Sequence, residues 1–152
     1  MWSFSRLGTF LSCKRQFKYR YIDKISYEGT YIETFMGNVV HKTLDGLYQE
    51  LKIKELMPFE QLEALYDRLW NEQFKEYEEI KIVKQDRDYD DYYKIGLKCV
   101  GNYYNENLES LKDPKFKFIY TETNFRTANI LPKSSKMKVA FTGKVDRIDV
   151  YD

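Results

Sequence analysis

The spacing of apolar side chains predicts helices through most of the first 111 residues. Apolar residues recur every three or four positions over 36–51, 58–77 and 93–111, which is the period of an amphipathic helix with one buried face. A shorter helix is expected over residues 3–17, because the serines at its start can accept hydrogen bonds from the first N–H groups of a helix.

After Pro114 the pattern changes from helical to alternating. Every second residue is aromatic over 116–120, which is typical of a strand, and this strand is expected to reach residue 126. A second alternating run covers residues 139–150 and is interrupted by Gly143. Loops are expected at residues 26–34, 86–91 and 127–136. Helices that precede strands favour an α+β fold, with N-terminal helices packed on a mainly antiparallel sheet.

The size and composition indicate one globular domain over residues 1–152, helical over 1–111 and stranded over 115–150. The 152 residues are 43% hydrophobic and 32% charged, which excludes a disordered tail or a collagen-like repeat. No apolar run is long enough to cross a bilayer, and the first residues lack the apolar core of a secretory signal. Two cysteines cannot build a disulfide framework, so the expected location is the cytoplasm, with no membrane contact.

Charge is distributed unevenly, although the net value is only +1. Residues 1–24 carry six basic side chains and one acidic, and residues 112–147 carry nine basic and three acidic. The segment between them has ten basic and 18 acidic side chains. If the two basic segments meet, they form one surface suited to a polyanion, whereas the plainer reading is a solvated surface. Aromatic residues interleave with the basic residues over 17–21. This pattern would suit the binding of single-stranded nucleic acid, with rings stacked on bases. The alternative is that the rings are half-buried packing residues.

Three side chains are candidates for chemistry. His41 is the only histidine, and it lies one residue off the apolar stripe of its helix, with Gly37 one turn earlier. Asp146 shares a strand face with apolar residues and is expected to point towards the buried side, where a carboxylate needs a cation or a donor. Glu122, on the preceding strand, is a weaker third candidate. Cys99 is expected to be a small core residue.

A divalent cation is the partner that such carboxylates would take. Mg²⁺ prefers oxygen ligands, and one carboxylate is not enough to hold it. A second carboxylate from a neighbouring strand would complete the site, and a lysine would help position the attacking water for phosphodiester hydrolysis. The sequence contains no glycine-rich phosphate loop, nucleophile elbow or zinc-ligand spacing.

These residues lie in segments that resemble a known family. Ser3-Phe4-Ser5-Arg6-Leu7, then Phe10 and Ser12–Tyr21, look like the N-terminal signature of RecB-like PD-(D/E)XK nucleases. Gly37–Leu44 resembles the family's G-x-x-x-H-x-x-L helix, and Gly143–Asp149 resembles its G-x-(I/V)-D-R-(I/V)-D strand. The three motifs occur in the family's order and cover the chain from about residue 3 to residue 150.

The resemblance implies a restriction-endonuclease-like core and a Mg²⁺- or Mn²⁺-dependent deoxyribonuclease, expected to be an exonuclease in DNA repair or recombination. His41 and Asp146 would be the metal ligands and catalytic residues, with Glu122 assisting. DNA, single-stranded among the options, would be the substrate, with a helicase or CRISPR-associated protein as a further partner. The basic side chains expected to hold the phosphate backbone are Arg6, Lys14, Arg15, Lys18, Arg20, Lys144 and Arg147.

Two departures from the family pattern accompany the resemblance. The acidic-x-lysine motif expected about a dozen residues after Asp146 is absent, since the sequence ends six residues after it. We therefore expect a truncated domain that is inactive or nearly so, with an open sheet edge through which it could form a homodimer. Lys14 replaces the proline that usually follows Cys13. In one branch that cysteine binds a 4Fe–4S cluster, so Cys13 is either a cluster ligand of a longer parent or a packed thiol.

The sequence also allows two alternatives to the nuclease. A non-catalytic module would keep the fold and bind nucleic acid or a helicase without hydrolysis. Alternatively, the motif matches are coincidental in an α+β domain of another kind. In that case His41 and Asp146 should lie far apart.

Overall fold

The structure is a computed structural model that describes residues 1–25, 29–53, 55–84, 86–113, 115–130 and 139–151. Its helices are α1 (Phe4–Ser12), α2 (Lys14–Phe17), α3 (Ile32–Ile53), α4 (Phe59–Phe74) and α5 (Tyr89–Lys112), with a π-helical turn at Lys18–Ile22. Its strands are β1 (Thr30–Tyr31), β2 (Ile80–Lys81), β3 (Phe116–Ile130) and β4 (Val139–Tyr151). The α+β class is therefore confirmed.

The chain divides into two compact units. The strand unit comprises Met1–Tyr27 and Tyr120–Ile148, and the helical unit comprises Glu28–Ile119 and Asp149–Asp152. The division does not follow the expected boundary between helices and strands, because α1 and α2 belong with β3 and β4. A single domain over the whole chain stays a prediction.

The helical unit has a core made by one face each of α3, α4 and α5. On α3, Phe35, Val39 and Leu47 are fully buried, as the helical period predicts. On α4 the buried face is Leu62, Tyr66, Trp70 and Gln73. The three long helices were predicted close to their observed bounds, and each contacts the other two. Burial of these faces supplies the main stabilisation of the unit.

Tyrosine hydroxyls in this core find hydrogen-bond partners. The hydroxyl of Tyr66 donates to the carbonyl oxygen of Tyr93 at 3.1 Å, and that of Tyr104 donates to the carbonyl oxygen of Met57 at 2.9 Å. An unpartnered buried hydroxyl would cost about 1–3 kcal/mol. The abundance of tyrosine is therefore compatible with a close-packed core.

Two segments expected to be loops contain residues of helices or strands. In 26–34, β1 pairs in parallel with β2 through Thr30 and Ile80, and α3 already begins at Ile32; residues 26–28 lie outside the described residues. In 86–91, α5 begins at Tyr89. Side chains of the acidic segment themselves start that helix, because Asp88 and Asp91 form a reciprocal capping box.

The first helices of the strand unit hold an aromatic cluster. The short N-terminal helix predicted over 3–17 is broken at Cys13 into α1 and α2. The Trp2 ring stacks on Phe17 with centroids 5.8 Å apart, and Phe10 meets Phe17 edge-on at 5.2 Å. Trp2 also bridges to Phe141 of β4 in parallel, with its N–H donating to the carbonyl oxygen of Ala140 at 2.9 Å. The N-terminus and β4 are thereby joined.

Strands β3 and β4 pair in a two-stranded sheet, which confirms the two predicted strands. Strand β3 continues to Ile130, so the loop expected over 127–136 is wrong for its first four residues, and the remainder lies outside the described residues. An antiparallel arrangement of the sheet stays a prediction. The pairing of β1 with β2 is parallel.

Candidate metal centre

Two carboxylates approach each other on the paired strands of the strand unit. One carboxylate oxygen of Glu122, on β3, lies within 4.8 Å of one carboxylate oxygen of Asp146, on β4. Asp146 is exposed and Glu122 is half-buried. The expectation that Asp146 points towards a buried side is therefore wrong, since Ile148 on the same face is also exposed. An exposed carboxylate pair is accessible to a cation from solvent.

Lys144 lies beside this pair. Side chains two residues apart on a strand point to the same face, so Lys144 and Asp146 share one face of β4. The ammonium of Lys144 forms an ion pair with Oε2 of Glu122. The side chain of Lys144 is 53% exposed and that of Glu122 is 28% exposed, so solvent screens the pair only in part. Sequence reasoning assigned Lys144 to the phosphate backbone and missed this contact.

The backbone of Glu122 is in an uncommon conformation. Its φ is 52°, in the left-handed region, where an L-residue costs about 1–2 kcal/mol because Cβ crowds the following carbonyl oxygen. Such conformations persist where the surrounding structure holds them, often at functional sites. Nothing in the sequence signals it, because glutamate in an alternating run predicts ordinary extended backbone.

The aromatic ring of Phe125 on β3 lies over the backbone of Gly143 on β4. A Cβ on Gly143 would lie 2.5 Å from Cε1 of Phe125. The ring therefore covers this backbone and leaves no room for a side chain. The hydroxyl of Thr142 donates to the carbonyl oxygen of Phe125 at 3.2 Å. The glycine that begins the Gly143–Asp149 motif thus has a packing role one residue before Lys144.

His41 is exposed on α3 in the helical unit. Gly37, one turn before it, borders open space, because a Cβ there would meet nothing within 4 Å. The candidate ligands remain His41, Glu122 and Asp146; only the two carboxylates belong to the strand unit, and the metal role of His41 stays a prediction.

The donor atoms of this set suit a divalent cation. Two oxygens bound to one Mg²⁺ at about 2.1 Å lie roughly 3–4 Å apart, so the two carboxylates need little movement to share an ion. Carboxylates suit Mg²⁺ and Mn²⁺, and imidazole suits later transition metals. Mn²⁺ accepts both kinds of donor and is therefore a good probe.

The basic residues proposed for the phosphate backbone differ in their surroundings. The guanidinium of Arg6 lies 5.0 Å from the Tyr21 ring centroid and 5.6 Å from that of Phe17, so its cation–π contacts hold it inside the aromatic cluster. The exposed members are Lys14, Arg15, Lys18, Arg20 and Lys144, and Arg147 is half-buried. Lys18 pairs with Asp23 at 3.4 Å, and its side chain is 61% exposed to solvent.

Both cysteines are exposed. A packed thiol is therefore wrong for Cys13, whose Sγ caps α2 by accepting from the N–H of Gln16 at 3.4 Å. The expectation that Cys99 is a core residue is also wrong. On α5 the buried residues are Tyr92, Gly96, Val100, Tyr104 and Leu111, so position 99 lies off the core face.

The charge of the chain separates between the two units. The strand unit contains twelve basic and three acidic side chains, a formal charge of +9. The helical unit contains 13 basic and 21 acidic side chains, a formal charge of −8. The two basic segments found in the sequence therefore belong for the most part to one compact unit, which also holds the carboxylate pair. A field of this sign attracts a polyanion.

Comparison with known proteins places the chain in a family. In the described part of the chain, no helix is long and apolar enough to span a membrane. No curated protein and no solved structure is significantly similar to the chain. A family model matches over all of residues 1–152, and members of that family are nucleases that use divalent metals. The chain belongs to the PD-(D/E)XK nuclease superfamily.

Proposed function

We propose that this chain is the metal-binding part of a RecB-like DNA exonuclease domain that acts in repair or recombination. The observation that carries the proposal is the carboxylate pair of Glu122 and Asp146 within the unit of charge +9. Paired carboxylates supply oxygen ligands for a divalent cation, and the surrounding positive charge favours DNA, the substrate expected of a nuclease superfamily.

Each candidate ligand has a role in this proposal. Asp146 and Glu122 hold a Mg²⁺ or Mn²⁺ ion through their carboxylate oxygens, and His41 is the third ligand through a ring nitrogen. A bound divalent cation polarises a phosphoryl oxygen and lowers the pKa of a water molecule, which makes it a nucleophile at neutral pH. His41 belongs to the helical unit, so the proposal requires α3 to present its ring to the same cation.

The basic side chains bind the DNA backbone. Lys14, Arg15, Lys18 and Arg20 are exposed on consecutive turns of the strand unit. Tyr19 lies among them, 38% exposed, with its hydroxyl accepting from Nε of Arg15 at 2.9 Å. Charged groups that contact phosphates and a ring that can stack on a base favour single-stranded DNA. Arg6 contributes indirectly, by holding the aromatic cluster that supports these turns.

A cleavage assay tests the proposal. Purified chain is incubated with a 5′-labelled single-stranded oligonucleotide and Mn²⁺, beside Asp146→Asn, His41→Ala and the control variant Asp90→Asn. Asp90 is an exposed acid paired with Lys94 on α5, so its loss changes charge equally without touching the site. In keeping with the near-inactivity expected above, we expect a low yield of metal-dependent products shortened from one end, lost in the first two variants and retained in the control.

Other outcomes would change the proposal. Products that persist without metal or in Asp146→Asn would contradict it. Metal and DNA binding without any cleavage would instead support the non-catalytic module, which keeps the fold but not the hydrolysis. Products that arise from cuts within the oligonucleotide would contradict the proposal that the domain is an exonuclease.

A further inference from the structure

Lys144 is placed to act as a counter-cation within the candidate metal centre. Its ammonium pairs with Glu122, and it shares a strand face with Asp146, two residues further along β4. A positive charge of the protein itself therefore lies against one of the two carboxylates that a divalent cation would bind.

An ammonium and a divalent cation compete for the same carboxylate. Glu122 carries one negative charge, and the attraction of a metal ion to it is weakened while Lys144 neutralises that charge. The ammonium also repels a cation a few ångström away, and the half-buried position of Glu122 limits how far solvent screens this repulsion. Alone, the carboxylate pair should therefore bind metal more weakly than its geometry allows.

We propose that Lys144 couples divalent-cation binding to binding of the DNA phosphate. The lysine stem is flexible and half exposed, so its ammonium can leave Glu122 for a phosphate oxygen of bound DNA. That exchange frees the Glu122 carboxylate for the cation. Metal and DNA then each tighten the binding of the other, because coupling between two ligands is reciprocal. The inference rests on the proposed function, which makes Glu122 and Asp146 metal ligands.

Mn²⁺ binding to the intact chain, measured by electron paramagnetic resonance of free Mn²⁺, tests this coupling. The variants are Lys144→Gln, Lys144→Arg and the control Lys94→Gln, which removes the same charge from an exposed ion pair with Asp90. We expect Lys144→Gln to bind Mn²⁺ about tenfold more tightly than the wild type. Lys144→Arg and Lys94→Gln should remain within about twofold of it.

A second titration includes a single-stranded phosphorothioate oligonucleotide, with Mn²⁺ bound by the oligonucleotide alone subtracted. Wild-type affinity for Mn²⁺ should rise about fivefold or more at saturating oligonucleotide, and that of Lys144→Gln by less than twofold. Equal Mn²⁺ affinity of Lys144→Gln and Lys94→Gln would overturn the inference. So would weaker binding by Lys144→Gln, since it would mean that the lysine only supports the site.

The failure of the metal centre itself can be distinguished from the failure of the coupling. Asp146→Asn tests the centre, because it removes a proposed ligand and leaves Lys144 in place. If the wild type binds Mn²⁺, Asp146→Asn does not, and Lys144→Gln binds it as the wild type does, the proposed function is retained and the coupling is overturned. Absence of Mn²⁺ binding in every variant overturns both.

Discussion

Gly96 of α5 lies directly against the hydroxyl of Tyr66 on α4. A Cβ on Gly96 would collide with that hydroxyl and lie 2.9 Å from Cγ of Met36. Tyr66 is fully buried, and its hydroxyl donates to the carbonyl oxygen of Tyr93. The glycine thus lets α4 and α5 approach closely enough for the buried Tyr66 hydroxyl to reach the backbone of α5 one turn before Gly96.

The close approach predicts that Gly96→Ala destabilises the helical unit. The expected loss is about 1–3 kcal/mol, the usual cost of overpacking a core, measured by urea denaturation. Gly37→Ala on α3 is the matched control, because a Cβ there meets nothing within 4 Å and alanine favours a helix by about 1 kcal/mol over glycine. The double variant Gly96→Ala/Tyr66→Phe should be more stable than additivity predicts, and strict additivity would argue against the contact.

The left-handed backbone of Glu122 predicts an unusual order of stability among its variants. At an ordinary strand position, glycine is less stable than alanine by about 0.5–1 kcal/mol. At a φ of 52°, alanine also bears the Cβ clash of about 1–2 kcal/mol. We therefore expect Glu122→Gly to be more stable than Glu122→Ala in urea denaturation. The neighbouring position Thr121 should show the usual order, and the usual order at both positions would mean extended backbone at Glu122.

The hydroxyl of Tyr93 is expected to lose its proton at a higher pH than an exposed tyrosine does. Burial, together with the hydrogen bond that its hydroxyl donates to Oδ1 of Asp67 at 2.7 Å, raises the pKa of Tyr93 to about 12 from 10.0. The folded state favours the neutral phenol, so this contribution to stability is present below pH 10 and is lost as pH rises from 10 towards 12. The urea midpoint of the wild type should fall more over this range than that of Tyr93→Phe. Parallel curves for the two proteins would show that the Tyr93 pKa is not raised.

Much of the fold could be predicted because local pattern and tertiary burial agree. The long helices carry apolar residues at helical spacing over many turns, and Val39, Leu62 and Val100 are buried as that spacing requires. The short strands were not predicted, because a two-residue strand such as β2 is too short to show an alternating pattern. Cys99 was expected inside because cysteine behaves as a small apolar residue, but it is exposed, next to the buried Val100 rather than on the buried face.

The candidate site was only partly accessible to sequence reasoning. An aspartate in the motif Gly143–Asp149 and a lone histidine on a helix are visible as residue types, whereas the pairing of Glu122 with Lys144 depends on the register between β3 and β4. The exposure of Asp146 likewise depends on which elements cover the sheet face. Neither can be deduced from alternation along a single strand.

The proposed metal centre requires that Glu122 and Asp146 bind one divalent cation. Isothermal titration of the chain with Mn²⁺, beside Asp146→Asn, Glu122→Gln and the control Asp90→Asn, measures this without any requirement for catalysis. We predict one bound Mn²⁺ in the wild type and in the control, with affinity reduced at least tenfold in each of the two site variants. Equal Mn²⁺ binding by all four proteins would contradict the account.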